Sequence, residues 1–330
     1  ARVAGLSLYV LRAAHLFDRD GSPYLDANGT DFADNPERFA ALSWMAMRIA
    51  RDGADSWLPE VVHAHDWQGG FAPYYMKKNG VDVPSILTIH NIAFHGLAPA
   101  DRLQSLRLDP ADFSADGFEY WGQIGALKAG LQFATALTTV SPTYARELTT
   151  PEFGMGLDGV LRARSGDLVG ILNGIDLDVW DPRTDSEIVS YKTPRGKGRA
   201  KARLRKEFGL PEADGPLAIV VSRLSHQKGL DLLLEALPAF LDRGGQLALL
   251  GSGDKALEGA FVKAAEHPNV AVRIGYDEAL SHRMMAGADA ILVPSRFEPC
   301  GLTQLYGLRY GTIPVVAATG GLVDTVIPAS

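Results

Sequence analysis

Short apolar runs alternate along this chain with longer segments in which apolar residues recur every three or four positions. The short runs are rich in β-branched residues and predict strands. The predicted strands are Leu6–Leu11, Val61–Ala64, Ile86–Ile89, Leu137–Val140, Leu168–Leu172, Leu217–Ser222, Gln246–Leu250, Val270–Ile274, Ala290–Val293 and Ile313–Val316. The longer segments predict amphipathic helices near residues 36–51, 68–79, 122–135, 229–242, 254–266, 278–286 and 301–310. Apolar strands that alternate with helices predict an α/β protein with parallel sheets covered on both faces.

The alternation breaks between about residues 173 and 215. This stretch is rich in polar and turn residues, and its basic cluster, Arg195 to Lys206, enters a helix-like segment at 200–208. We interpret it as a connection between two α/β domains. The predicted organisation is an N-terminal domain over 1–173, a connection over 174–215 and a C-terminal domain over 216–330.

Composition narrows the class of protein further. The 330 residues are enough for two domains, and a single cysteine excludes an internal disulfide and favours a reducing compartment, so we expect a cytoplasmic protein. The net charge of −7 gives no support for a nucleic-acid partner. No apolar run is long enough to span a bilayer and residues 1–30 lack a signal-peptide pattern, so no membrane partner is expected.

Polar residues cluster where the predicted strands end. His63–Trp67, His90-Asn91, Arg223–Lys228, Gly251–Asp254 and Glu298 each follow a strand. In open α/β sheets ligands bind at the carboxyl ends of the strands, so two such domains would line one cleft. A cleft of this kind suits a reaction that joins two substrates.

The first two clusters have alternative interpretations. His63, His65 and Asp66 could ligate a metal, but Asp66 should point away from the strand face that the two histidines share, and no further His/Cys cluster completes a site. A hydrogen-bonding role for Asp66 is therefore favoured over a metal site, with strand-end packing as the other possibility. His90 is either a core histidine or a substrate residue, and the sequence leaves both open.

The clusters in the second half point to a phosphorylated ligand. Arg223 and Lys228 are two cations five residues apart in a strand-to-helix loop, so both can reach a diphosphate. Gly251-Ser252-Gly253 lacks the third glycine of a dinucleotide fingerprint because position 256 is alanine, and it gives poor support for nicotinamide. The run from Pro294 to Gly307 places Glu298 and a turn of small residues before a predicted helix, whose N-terminus suits a phosphate.

Taken together, these runs resemble the ADP-glucose-dependent glycogen and starch synthases of glycosyltransferase family 5. The matching runs, in family order, are His63–Trp67, Thr88–Asn91, Val140–Glu147, Leu172–Asp176, Ser222–Gly229, Ser281–Met285, Pro294–Gly307 and Thr319–Leu322. The resemblance implies the GT-B fold, in which two Rossmann-like, doubly wound parallel-sheet domains face each other across a deep cleft. The family's N-terminal Lys-(Thr/Ser)-Gly-Gly-Leu loop has no counterpart here, and the matching part ends at Asp324, so we expect both domains to be incomplete.

The resemblance also implies an activity. It is the retaining transfer of glucose from ADP-glucose to the non-reducing end of an α-1,4-glucan, with release of ADP, in glycogen biosynthesis. ADP-glucose is a substrate, and no cofactor and no metal are implied. The expected partners are ADP-glucose and glycogen or a maltooligosaccharide, and the oligomeric state stays open.

The family's functional residues carry over position by position. Glu298 matches the catalytic acid position, Arg223 and Lys228 match the diphosphate-binding pair, and Tyr276 matches the residue that stacks on adenine. The remaining donor-side residues are Cys300, Gly301, Leu302 and Thr303, of which the last two match backbone phosphate ligands. The residues assigned to the glucose and acceptor side are Tyr24, Asp66, His90, Asn91 and Asn173, with His90 also counted as catalytic.

The chemistry of Glu298 has two forms in a retaining enzyme. It could be a nucleophile in a double displacement, or the acceptor could attack from the face that ADP leaves. The resemblance favours same-face attack, with Glu298 orienting sugar hydroxyls. The position eight residues after Glu298, where many retaining GT-B enzymes carry a second glutamate, is Tyr306.

Three rival functions stay open at this point. The chain could be another nucleotide-sugar GT-B transferase, a GT-B epimerase or phosphorylase, or a shortened chain that binds ADP or glucan without turning over. Donor screening, a cofactor absorbance spectrum and a comparison of binding with glucose incorporation would separate them.

Overall fold

Two parallel sheets form the framework of the protein, one in each of two units. The structure is a computed structural model that describes residues 2, 3 and 5–329. The first unit runs up to Val140 and includes Ala145–Gly170, and the second comprises Ser141–Tyr144 and the chain from Ile171 onward. The predicted α/β class with parallel sheets is confirmed.

The first unit contains a four-stranded parallel sheet and two small antiparallel sheets. Its strands are β1 (Arg2–Val3), β2 (Leu6–Ser7), β3 (Val62–His65), β4 (Ser85–Ile89), β5 (Leu97–Pro99), β6 (Glu119–Tyr120), β7 (Gln123–Gly125), β8 (Ala136–Thr139) and β9 (Leu168–Gly170). The parallel sheet has the order β3-β4-β8-β9, so the loops after β3 and β4 lie at one edge. Strands β5, β7 and β6 form an antiparallel sheet, and β1 pairs with β2.

Helices cover the sheet of this unit. They are α1 (Ala14–Phe17), α2 (Asn35–Asp52), α3 (Phe71–Lys78), α4 (Ala126–Phe133) and α6 (Asp158–Ala163), whereas α5 (Pro142–Glu147) begins in the second unit and ends in the first. Aromatic residues of α3, Phe71, Tyr74 and Tyr75, are buried in the core against α2 and the antiparallel sheet.

Two predictions in this unit were wrong. The run Leu6–Leu11 is a strand only at Leu6–Ser7, and its exposed Tyr9 instead stacks on Trp57 with ring centroids 5.8 Å apart. The helix predicted over 122–135 is a helix only at Ala126–Phe133, because Gln123–Gly125 pairs with two neighbouring strands.

The second unit has a five-stranded parallel sheet. Its strands are β10 (Leu217–Val221), β11 (Gln246–Gly251), β12 (Val270–Ile274), β13 (Ala290–Val293) and β14 (Ile313–Val316). Its helices are α7 (Gly198–Phe208), α8 (Leu230–Asp242), α9 (Lys255–Ala264), α10 (Glu278–Gly287), α11 (Thr303–Tyr310) and α12 (Gly320–Thr325). The strand order β12-β11-β10-β13-β14 reverses direction between β10 and β13, which makes that point the switch point of a Rossmann-like sheet.

The segment 174–215 packs into the second unit and does not lie outside both cores. Trp180, Tyr191, Leu204 and Leu210 are buried there against Leu217 and its neighbours. Helix α7 ends where Gly209 adopts φ +71°, a left-handed conformation that favours glycine and closes the last helical turn. Segment 174–215 is polar overall, so its sequence pattern does not reveal these core residues.

No helix among residues 2, 3 and 5–329 is both long and apolar enough to cross a membrane.

Candidate functional site

The loops that follow β10 and β13 lie side by side at the switch point of the second unit. The N–H of Arg296 donates to the carbonyl oxygen of Gln227 at 2.9 Å. Gly229 has φ +61°, and a Cβ atom there would lie 2.0 Å from the carbonyl oxygen of Pro294. Only glycine fits this approach, so the backbone brings the two loops into direct contact.

This contact joins Lys228 to Glu298. The Lys228 ammonium lies 2.6 Å from Glu298 Oε2, which also accepts a hydrogen bond from the Ser295 hydroxyl at 2.9 Å. Glu298 is buried, and its Oε1 makes no hydrogen bond to any residue that the structure describes. The pair therefore leaves one carboxylate oxygen, and the other two N–H groups of the ammonium, available to a ligand.

The loop after Glu298 leads into the N-terminus of α11. The first intrahelical hydrogen bond runs from the Tyr306 N–H to the carbonyl of Leu302, so the N–H groups of residues 303–305 have no acceptor within the helix. Leu302 provides no side-chain cap. Free N–H groups and the positive end of the helix dipole favour an anion beside Thr303.

A buried glutamine fixes this turn. Gln304 donates to the carbonyl oxygens of Cys300 and Gly301, both at 3.0 Å, and to the Thr325 hydroxyl at 3.1 Å. Gly301 adopts φ +73°, in the left-handed region. The predicted donor-side residues from Cys300 to Thr303 therefore form one rigid turn.

Cys300 lies between that turn and two other segments. Its buried thiol accepts a hydrogen bond from the backbone of Asn173, and burial raises the pKa of the thiol. A Cβ at Gly321 would lie 2.4 Å from Cys300 Cα, which requires glycine at the start of α12. Asn173, which the sequence assigned to the acceptor side, thus lies in the second unit beside a donor-side residue.

A cavity of about 370 Å³ opens beside these loops in the second unit. Its lining includes Arg223 and Thr303, together with Tyr276, Tyr306 and Trp180. Arg223 is exposed, and its guanidinium makes no hydrogen bond or ion pair with the part of the chain that the structure describes. The Tyr276 side chain is 85% exposed, so one ring face can meet a planar ligand. A guanidinium, free N–H groups and aromatic rings around one cavity suit a nucleotide.

The sequence did not indicate the aromatic stack behind this cavity. Trp180 is sandwiched between Tyr306 and His282, with ring centroids 3.7 and 3.8 Å apart and interplanar angles of 10° and 14°. Asp185 accepts a hydrogen bond from the Tyr310 hydroxyl and pairs with His282 Nδ1 at 2.8 Å. The buried carboxylate thus holds the stack in place. The sequence signal that could have indicated this stack is an aromatic residue in a polar stretch, Trp180 directly before Asp181-Pro182.

In the first unit, Asp66 is the centre of the strand-end cluster. It adopts φ +49°, a left-handed conformation that is uncommon outside glycine, immediately after β3. Its Oδ1 accepts hydrogen bonds from the backbone N–H groups of His90 at 2.7 Å and Asn91 at 3.3 Å. Burial is the largest influence on this carboxyl group and raises its pKa. Asp66 therefore joins the loops after β3 and β4, which is the hydrogen-bonding role that the sequence favoured.

Three histidines lie around Asp66. His63 and His65 share a strand face, with ring centroids 4.3 Å apart. His65 Nδ1 and His90 Nε2 are 3.0 Å apart, so one ring donates a hydrogen bond to the other, and burial lowers the pKa of His65. Within the described ranges no group of three or more His, Cys, Asp or Glu residues is arranged to hold a metal ion.

Tyr24 lies beside the same cluster. Its hydroxyl accepts a hydrogen bond from Gln68 Nε2 at 2.9 Å, and its ring centroid is 6.4 Å from that of Trp67. Tyr24, Asp66, His90 and Asn91 therefore belong to one group of side chains in the first unit. The second unit brings together the other predicted residues, from Asn173 to Thr303.

Comparison with known proteins adds to this geometry. Residues 1–163 match the family model for the starch synthase catalytic domain, and residues 201–330 match that for glycosyl transferases group 1. The chain is 65% identical to a glycogen synthase of Paracoccus denitrificans over 98% of this chain and 68% of that protein. It is 63% identical to a glycogen synthase of Jannaschia sp. over 99% of this chain and 69% of that protein.

A solved structure is also similar. The catalytic domain of starch synthase IV from Arabidopsis thaliana, bound to ADP and acarbose, superposes with a TM-score of 0.80 at 37% identity. The match covers 89% of this chain and 63% of the starch synthase chain. The chain therefore spans about two thirds of the length of the proteins it matches.

Proposed function

Because the chain belongs to the glycogen synthase family of GT-B glucosyltransferases, we propose that it transfers glucose from ADP-glucose to the non-reducing end of an α-1,4-glucan and releases ADP. The observation that carries this proposal is the Lys228–Glu298 pair, which joins the two loops that also carry Arg223 and lead into the free N-terminus of α11, both on the lining of the aromatic cavity. The ADP and acarbose of the similar starch synthase support a nucleotide-sugar donor and a glucan acceptor.

The donor diphosphate is bound by cations and N–H groups. Arg223 supplies a planar guanidinium, and Lys228 supplies a point charge. The N–H groups near Leu302 and Thr303 add the positive end of the helix dipole. These groups neutralise the charge that grows on the departing phosphate. Lys228 keeps two N–H groups free while it holds Glu298, so it can bind the phosphate without releasing the carboxylate.

The adenine ring stacks on Tyr276, whose exposed face borders the cavity. Cys300 and Gly301 belong to the donor side through the turn that Gln304 fixes, and they contribute shape and not charge. Asn173 reaches this turn through its backbone contact with Cys300.

The glucose unit is oriented by carboxylates and imidazole. In the second unit, Glu298 Oε1 accepts a hydrogen bond from a sugar hydroxyl. The sugar-binding residues of the first unit are Tyr24, Asp66, His90 and Asn91. Retention follows from attack on the face that ADP leaves. The bond between the anomeric carbon and the phosphate oxygen breaks, the acceptor O4 forms the new bond on the same face, and its proton passes to the departing phosphate.

The test is incorporation of labelled glucose into glycogen from ADP-glucose and, separately, from UDP-glucose. We expect incorporation from ADP-glucose, and Glu298→Ala should nearly abolish it while circular dichroism shows an intact fold. The matched control is Glu266→Ala, which removes an exposed carboxylate two residues after the end of α9 and should leave turnover unchanged. Wild-type turnover by the Glu298 variant would refute its assignment.

A further inference from the structure

An unusual tryptophan forms the tip of the β6–β7 hairpin in the first unit. The two-residue turn is Trp121-Gly122, and both residues have positive φ, +48° and +80°. Such a turn ordinarily takes Asn-Gly or Asp-Gly, because small polar residues and glycine tolerate the left-handed conformation. A bulky ring in this position is strained, and such strain is concentrated at functional sites.

The indole is exposed and yet held in one orientation. The Trp121 side chain is 80% exposed. The Tyr120 ring lies at 87° to the indole, with centroids 6.5 Å apart, and the Tyr120 hydroxyl donates to the carbonyl oxygen of Met155 at 2.7 Å. A Cβ at Gly156 would lie 3.0 Å from the Tyr120 hydroxyl and 3.3 Å from the indole nitrogen, which is tighter than most such contacts, so the loop packs closely on the indole.

The opposing loop is strained in the same way. Met155 has φ +50° and Gly156 has φ +78°. Two left-handed turns from separate parts of the chain therefore converge on one aromatic ring. The strained backbone of both turns therefore calls for an explanation beyond the solvent exposure of the Trp121 ring.

The hairpin is tied to the loop that carries His90. The ring of Tyr120 packs edge-on against His95, with centroids 4.5 Å apart. Gly96, the next residue, has φ +62°, and a Cβ there would lie 2.4 Å from the Trp67 ring. The loop that begins at His90 therefore contacts both the hairpin and the residue that follows Asp66.

We propose that Trp121 is a binding platform for the α-glucan acceptor, outside the group of residues that contacts the transferred glucose. The inference rests on the proposed function, which supplies a glucan in the same unit. An exposed, immobilised indole face suits the apolar C–H face of a pyranose ring. Its sequence neighbours Glu119 and Gln123 are polar, so the indole has hydrogen-bonding groups beside it, as a sugar ligand requires.

The test compares the full chain with Trp121→Asn, Trp121→Tyr and Trp57→Ala. Asparagine suits the left-handed turn and so preserves the hairpin, whereas tyrosine preserves an aromatic face. Trp57 is a second exposed tryptophan of the same unit, outside the hairpin, and serves as the control. Retardation in native gels containing glycogen gives the glucan affinity, and calorimetry gives the ADP affinity.

We expect Trp121→Asn to weaken glycogen binding roughly three- to tenfold. Trp121→Tyr should retain most of the affinity, and Trp57→Ala should equal the wild type. ADP affinity should be the same in all four proteins. In the wild-type chain, glycogen should protect Trp121, but not Trp57, from oxidation by N-bromosuccinimide, a readout that needs no variant to fold.

Several results would overturn the proposal. They are wild-type glycogen affinity in Trp121→Asn, an equal loss in Trp57→Ala, absence of glycogen binding by the wild type, or oxidation of Trp121 that glycogen does not slow. Failure of the proposed function is a different result, namely a wild type that binds no ADP and incorporates no glucose.

Discussion

Lys197, a lysine buried in the second unit, should make the stability of the protein change with pH in the alkaline range. Its ammonium donates to the carbonyl oxygens of Met285 and Tyr310 at 3.1 and 2.9 Å and also to the Thr312 hydroxyl. No carboxylate forms an ion pair with it within the described part of the chain, and Asp289 acts only from a distance. Burial lowers the pKa of Lys197 to about 8.

The magnitude follows from the difference between the folded and unfolded pKa values. A shift from 10.5 to about 8 corresponds to about 3 kcal/mol of unfavourable free energy while both states are protonated. Below pH 8 this cost is fully present. Between pH 8 and 10.5 the unfolded chain binds more protons than the folded chain, so the contribution of Lys197 to stability rises with pH.

The perturbation is Lys197→Met, which keeps the length of the side chain and removes the charge. The acceptors keep other donors, because the Tyr310 carbonyl also accepts from the Tyr191 hydroxyl and the Met285 carbonyl from Thr312. Urea unfolding of both proteins at pH 7 and pH 10 gives the difference in unfolding free energy. The wild type should gain about 2 to 3 kcal/mol relative to the variant over this interval.

The control for this experiment is Lys206→Met, which removes an exposed lysine from α7, the helix that begins directly after Lys197. The difference between wild type and this variant should not change with pH. The reasoning would be refuted if the difference in unfolding free energy between wild type and Lys197→Met were also the same at both pH values. That result would mean that the three acceptors stabilise the ammonium as well as water does.

Three further predictions concern the site. Asp185→Asn should lower the free energy of unfolding by about 1 to 3 kcal/mol and weaken ADP binding, since it loosens the hold on His282 and the stack behind the cavity; unchanged ADP affinity in calorimetry would contradict this. Gly229→Ala should destabilise the protein by more than about 1 kcal/mol in urea, because the methyl group would meet the Pro294 carbonyl, and wild-type stability would show that the loops can separate. Arg223→Ala should leave stability within about 0.5 kcal/mol of wild type and reduce both ADP affinity and its salt dependence, so equal binding in a salt series would exclude a diphosphate contact.

The parallel strands could be predicted to within a few residues because buried strands are continuous apolar runs. The prediction of Val61–Ala64 against the observed Val62–His65 is typical. The hairpin at Glu119–Gly125 could not be predicted in this way, since strands of two or three residues are too short to show a period. Its second strand was absorbed into the apolar run of helix α4.

The candidate site was predictable as a set of residue types but not as a set of contacts. Glu298 and Lys228 follow predicted strands, and the rule for open α/β sheets locates such residues at one edge. The ion pair between these two residues depends on the order of the strands in the sheet, and local sequence patterns do not reveal that order. Asp185 and Trp180 lie in a polar stretch without periodicity, so their burial becomes apparent only once the sheet against which they pack is known.

The pairing of Lys228 with Glu298 also bears on the order in which the second unit becomes competent. The two residues are 70 positions apart, and the intervening chain, which carries β11, β12 and three helices, forms a long loop that closes when β13 aligns with β10. Closing so long a loop is a late event in folding. A partly folded chain therefore offers an unpaired lysine and no assembled turn, and a nucleotide that needs both would select finished molecules and stabilise them by mass action.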